Sequence, residues 1–283
     1  WTEDEITRPQ ASAHLRTRRS GATTCGVHPL VRDPSRVVAL AGADNFRDLG
    51  GYPIPGGGEV ARGLVYRSDG LQALADDDLR VVEERGITTV IDLRHQREFD
   101  LRPSRLPSSA QRVSHCLMSP VDAAGKAADV RQAARESGDG HDMLEVMYTL
   151  MIDHSAQRFA DVITTITDAD APVLFHCHGG KDRTGLVAAF VLELLGVERE
   201  LVLDDYVLTS ELRVADADAF RDLMDDGLSA AAAAGVLGAP RELMVSILGR
   251  LDAEHGGVGG YLRDIGGLDD TVISRLRDRL VKL

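Results

Sequence analysis

The chain reads as a single α/β domain built around a mainly parallel sheet. Short β-branched or apolar runs (Gly63–Arg67, Ile87–Leu93 and Val173–Phe175) alternate with segments of helical periodicity. Ile87–Leu93 is apolar on both faces, the pattern of a strand buried between helical layers. Helical segments then accumulate after the last strand, which predicts extra helices packed on one side or folded over the domain.

Residues 1–36 carry Arg8, Arg16, Arg18, Arg19, Arg32 and Arg36 with few apolar side chains and no sustained period, so they are expected to form a basic arm ahead of a domain at 37–283. Asn45–Tyr52 runs into the Pro/Gly-rich stretch Pro53–Gly58, which predicts a hairpin or tight loop. A strand follows at 63–67. The helix expected at 74–85 has Asp76, Asp77 and Asp78 at its dipole-positive end and Gly86 just past its close. A strand at 87–93 and a short helix at 95–101 come next. Pro103 and Pro107 then break the chain, and Gly125–Gly140 reads as a mobile loop. Amphipathic spacing predicts two helices, 142–154 and 156–167, before the strand at 173–175. The almost wholly apolar helix 184–195 stops at Gly196, and further helices are expected at 198–213, 215–226, 240–254 and 269–282. Ala230–Ala234, flanked by Gly227, Gly235 and Gly238, reads as a pliant corner or the tip of a lid.

Lys and Arg number 32 against 45 Asp and Glu, a net charge of −13. A surface that acidic repels nucleic acid and anionic membranes, so an anionic ligand must be caught by a local positive site. No apolar run is long enough for a membrane span, and the first twenty residues lack the apolar core of a signal peptide. The three cysteines, Cys25, Cys116 and Cys177, have no framework spacing, which suits a reducing cytoplasm. Cys25 and His28 have a metal-like spacing, but no second pair follows.

The chemistry is concentrated in Val173–Gly185, VLFHCHGGKDRTG. A strand feeding a helix through a tight loop turns several backbone N–H groups into one hollow, and the helix N-terminus adds partial positive charge there. Gly179 and Gly180 permit the loop's backbone, and Arg183 can grip two phosphate oxygens with its planar fork. Cys177 lies at the floor of this anion site, where the nucleophilic thiolate is favoured. The Thr184 hydroxyl can donate a hydrogen bond to that sulfur when it leaves phosphorus. A nucleotide P-loop would need Gly at 175 and Ser or Thr at 182, where Phe175 and Asp182 stand. Zinc is excluded because His176, Cys177 and His178 are successive residues on extended chain and cannot converge on one ion.

His176-Cys177-x5-Arg183-Thr184 resembles the signature loop of cysteine-dependent phosphatases. The longer string Gly180–Gly185, with Asn45–Tyr52, Tyr66-Arg67-Ser68 and Val90–Arg94, is similar to the atypical bacterial tyrosine and dual-specificity (lipid) phosphatases, the family of mycobacterial protein tyrosine phosphatase B. The resemblance covers about residues 37–283. It implies a cysteine-phosphatase α/β fold, a two-step reaction through phosphocysteine, no metal or cofactor, and a helical lid. The substrate it implies is phosphorylated, either a phosphoprotein or a small phosphate ester such as a nucleotide, sugar phosphate or phosphoinositide. A non-catalytic phospho-ligand-binding module is the alternative of another class.

Asp182, between Lys181 and Arg183, either carries the proton for the leaving group, as the family implies, or turns outward to brace the loop. Asp92, at the carboxyl end of a central strand, is the second candidate acid; its other role is an ion pair with Arg94 or Arg47. Lys181 is expected as a point charge near the phosphate or a second anionic group, or else as a solvated loop lysine, with His178, Gly179, Gly180 and Thr184 lining the loop. His176 is expected to pack the loop from behind. Arg47, Asp48 and Arg67 either line the entrance or form a salt-bridged face.

Overall fold

The computed structural model describes residues 27–117, 140–213, 217–225 and 227–283. Its strands are β1 (Arg47–Asp48), β2 (Glu59–Val60), β3 (Val65–Ser68), β4 (Thr89–Asp92), β5 (Gln111–Ser114), β6 (Val173–His176) and β7 (Val281–Lys282). Its helices are α1 (Asp76–Glu84), α2 (Gln96–Leu101), α3 (His141–Asp168), α4 (Asp182–Leu195), α5 (Arg199–Leu212), α6 (Ala217–Asp225), α7 (Ala230–Leu237), α8 (Arg241–His255), α9 (Val258–Asp264) and α10 (Asp270–Leu280).

The main sheet has the order β1-β3-β6-β4-β5, parallel throughout except for the edge strand β1. Strand residues alternate between two apolar layers. Val65, Ile91, Val173 and Phe175 face the large core made with α3, α4, α5 and α8–α10, whereas Tyr66, Val90 and Leu174 face a smaller one that includes Val82 of α1. Register aligns Ser68, His176 and Asp92 across the carboxyl ends of β3, β6 and β4, so the segment after His176 emerges at the edge where open α/β sheets bind ligands.

The expected α/β architecture is present, with several differences in detail. The two helices expected at 142–154 and 156–167 are one, α3. Buried Met151, Ile152, Ser155, Ala156 and Phe159 stay in phase across the expected break, and one serine does not stop a helix. Polar β5 was not legible because Val113 is its one apolar residue and none of its four residues is buried. The chain end expected as helix to 282 turns at Val281 and pairs as β7 with β2. Residues 27–36, grouped by composition with the basic arm, are docked on the domain: Val31 is fully buried and Arg36 is inserted into the interior. The rest of that arm, with Cys25, lies outside the described residues, as does the loop expected at 125–140 apart from Gly140, which precedes α3. No single helix among the described residues is long and apolar enough to cross a membrane.

Candidate active site

The segment between β6 and α4 is held from behind by charge. Asp205 of α5 is fully buried and receives Arg36 Nη2 at 3.2 Å, Arg47 Nε at 3.2 Å, Arg67 Nη1 at 2.6 Å and the Tyr52 hydroxyl at 2.9 Å. Burial alone would raise its pKa, but the three guanidiniums outweigh it and hold the carboxyl far below the usual range. Three cations on one anion leave excess positive charge, and burial pushes the Arg67 pKa down to about 10. Arg67 Nη2 and Asn45 Nδ2 both donate to the Gly180 carbonyl, at 2.8 and 2.9 Å, tying this cluster to the signature loop. Gly180 has φ +63°, and a Cβ there would lie 2.7 Å from the Asp69 nitrogen, so the loop is pressed onto the end of β3 where only glycine fits.

A second network fixes the strand ends. Asp92 is buried and accepts from Arg94 Nε at 2.9 Å and Nη2 at 2.8 Å and from Arg112 Nε at 2.9 Å. Burial opposes its charge, yet these hydrogen bonds hold it as a carboxylate well below the ordinary range. His176 is buried beside it, with Nδ1 3.0 Å from the Cys177 carbonyl oxygen and Nε2 3.4 Å from Ser104 Oγ. Burial pushes its pKa down to about 4, so the imidazole is neutral.

Cys177 is buried at the floor, with its side chain touching the large apolar core on one side. Arg183 Nη1 and Nη2 grip Glu98 at 2.6 and 2.9 Å. Glu98 also accepts the His95 N–H at the start of α2, at 2.9 Å, which orients it. Burial works against the Arg183 charge, but the bonds to Glu98 and the nearby Cys177 sulfur more than offset it and raise its pKa. The guanidinium therefore lies within electrostatic reach of the sulfur while its fork is steadied from outside.

Asp182 opens α4. Its Oδ1 lies 3.2 Å from Lys181 Nζ and makes no hydrogen bond, and close to it the Tyr148 and Tyr206 hydroxyls bond each other at 2.9 Å. Lys181 is buried and donates to the Val236 carbonyl of α7. The buried Thr184 hydroxyl has no hydrogen-bond partner among the described residues. His178 lies at the mouth, open to solvent on one side, its pKa lowered by partial desolvation and by Arg102.

The sequence-derived loop residues Cys177–Thr184 therefore come together with Asp92 and His176 close by. Arg47 does not: it is buried with Arg67 on Asp205, so these two arginines form an interior salt-bridged cluster rather than an entrance. Asp205 and Glu98 were missed. Asp205 signalled itself only as one of two adjacent carboxylates, with Asp204, inside the otherwise apolar run Leu201–Leu208, where a buried acid demands a partner. Among the described residues no group of His, Cys, Asp and Glu is arranged to hold a metal ion.

Residues 38–282 match the tyrosine phosphatase family. The chain belongs to that family. It is 31% identical over 280 residues to the triple specificity protein phosphatase PtpB of Mycobacterium tuberculosis, covering 87% of this chain and 99% of that protein. A tyrosine-protein phosphatase of Nostoc commune is 28% identical over 281 residues, covering 87% of this chain and 90% of the relative. A crystal structure of P. aeruginosa TpbA in complex with pTyr superposes loosely, with a TM-score of 0.37 at 17% identity over 76% of this chain and 98% of that one. The protein is a phosphatase enzyme acting on phosphorylated substrates.

Proposed function

We propose that the protein is a metal-independent, cysteine-dependent phosphomonoester hydrolase of the tyrosine/dual-specificity type, acting in the reducing cytoplasm that its sparse cysteines suit. The observation that carries the reading is the buried Cys177 at the floor of the loop between β6 and α4, with Arg183 in the first turn of α4 and its fork braced by Glu98. Cys177 Sγ attacks phosphorus as the bond to the leaving oxygen breaks, and that oxygen takes its proton from Asp182. Loop amides and Arg183 stabilise the equatorial oxygens. Water then attacks the phosphocysteine, Asp182 accepts its proton, and Thr184 donates to the departing sulfur.

Asp182 is the better acid on this geometry. Asp92 is locked as a carboxylate by two arginines and serves to orient Arg94 and the strand ends, whereas Asp182 has no arginine partner. The Lys181–Val236 contact supports α7 as part of a cover over the loop. Helix α5, which follows α4, is a core element rather than part of that cover.

Cys177→Ser is expected to abolish phosphate release from 4-nitrophenyl phosphate in the presence of a chelator; retained turnover would sink the assignment. Asp182→Asn should lose far more rate on an alkyl phosphate than on 4-nitrophenyl phosphate, since only the poor leaving group needs the proton. The same signature from Asp92→Asn would reverse the two roles.

A further inference from the structure

Nearly every cation around the signature loop has a carboxylate partner: Arg183 has Glu98, Arg94 and Arg112 share Asp92, and Arg36, Arg47 and Arg67 share Asp205. Arg213 is different. Its guanidinium makes no ion pair or side-chain hydrogen bond among the described residues, although acids outnumber bases in this chain. It rests on the loop itself. A Cβ on Gly179 would lie 3.3 Å from Arg213 Cζ and 3.4 Å from each Nη, so the guanidinium lies face-on to Gly179, two residues beyond Cys177. Any larger residue at 179 would push it away.

The placement is built rather than incidental. Asp205, Thr209 and Arg213 recur every fourth residue and share one helical stripe. Asp205 is tied to the loop through Arg67 and Gly180, and Thr209 Oγ1 accepts from Arg47 Nη2 at 3.3 Å. Arg213, whose N–H bonds the Thr209 carbonyl, carries this stripe outward to the rim. Arg102, also without a charge partner among the described residues, accepts Arg94 Nη1 on its carbonyl at 2.9 Å beyond the carboxyl end of β4, and its charge helps lower the pKa of His178.

We propose that Arg213, with Arg102, forms a second anion-binding position beside the phosphate loop, so that the site prefers soluble phosphomonoesters carrying another anionic group, phosphate or carboxylate. This rests on the phosphatase reading above. A planar guanidinium suits such a group because it offers paired N–H donors, and an otherwise acidic surface gives the second charge nowhere else to go.

The test uses short α,ω-alkanebisphosphonates and alkylphosphonates of equal length, as competitive inhibitors of 4-nitrophenyl phosphate hydrolysis and as calorimetric ligands of Cys177→Ser. The quantity read is the affinity ratio of the doubly to the singly charged ligand, which cancels any general loss. The native chain is expected to show a ratio of about tenfold for the best-fitting length, a sum of paired charge-assisted contacts. Arg213→Gln should reduce it to about twofold, Arg102→Gln by less, and Arg213→Lys should restore part of it. A native ratio near one overturns the inference, as does a ratio unaffected by Arg213→Gln, the result expected if Arg213 serves the reacting phosphate itself. Arg213-dependent binding to phosphatidylserine vesicles without discrimination among the soluble ligands also overturns it. Absence of 4-nitrophenyl phosphate turnover would instead strike the phosphatase reading, and the calorimetric ratio would still decide this one.

Discussion

The charges behind the signature loop and those in front of it are organised oppositely. Behind it, Asp205 and its three arginines are at most 1% exposed, bonded at several atoms each, and positive in sum. In front, the Arg183 and Glu98 side chains are 16% and 38% exposed, and the pair is neutral and joined one to one. A buried cluster with unequal charge is costly to disturb, whereas a half-solvated pair is cheap to open. The inner group thus acts as scaffold and supplies constant positive potential to the loop. The outer pair leaves Arg183 the freedom to reorient some of its donors as charge develops on a bound phosphate.

The sharpest test of this contrast is Asp205→Asn. Three buried guanidiniums would lose their counter-ion, and urea unfolding should show a loss of about 3–5 kcal/mol. A loss below about 1 kcal/mol would mean that the cluster is not scaffold at all. The neutral His176 gives the next largest effect. Its folded pKa of about 4 lies below the ordinary 6.5, so the unfolded chain binds the extra proton between those values. Its contribution, up to roughly 3 kcal/mol, is complete above pH 6.5 and drains away as pH falls toward 4. The stability difference between the native protein and His176→Asn should follow that slope; a difference flat with pH would place the imidazole in solvent. The smallest stability effect belongs to the front. Glu98→Gln should cost at most about 1 kcal/mol yet reduce kcat/KM for 4-nitrophenyl phosphate by about tenfold to a hundredfold, because Arg183 loses its brace. Should it unfold the protein as readily as Asp205→Asn, the division into scaffold and working pair fails.

What could be read from the chain beforehand follows the range of the forces involved. The signature loop was legible because its chemistry is contiguous: strand, cysteine, glycines, arginine and helix lie within Val173–Gly185. The buried strands were legible because apolar residues on both faces need covering on both sides. Asp205 was not, since its partners Arg36, Arg47 and Arg67 lie 138 to 169 positions away and its apolar neighbours do not tell it apart from the adjacent Asp204. Glu98 was placed within an expected short helix, but its bond to Arg183 spans 85 positions. The break expected at residue 155 is absent from α3 because tertiary burial sustains one apolar period across it. Pairing across the chain belongs to the fold, and composition does not encode it.

The sheet order has a bearing on how the protein assembles. Strand β6 is central in space but late in sequence, and it alone joins β3 to β4. An N-terminal fragment ending before Val173 would hold β3 and β4 with an empty slot between them, so folding must wait for a long-range insertion, and such topologies close slowly. The strand that fills the slot ends at His176, immediately before Cys177. Completing the hydrophobic interior and delivering the sulfur to its hollow are thus one event in the life of the chain, and a molecule that has not finished folding cannot have a half-built reactive centre.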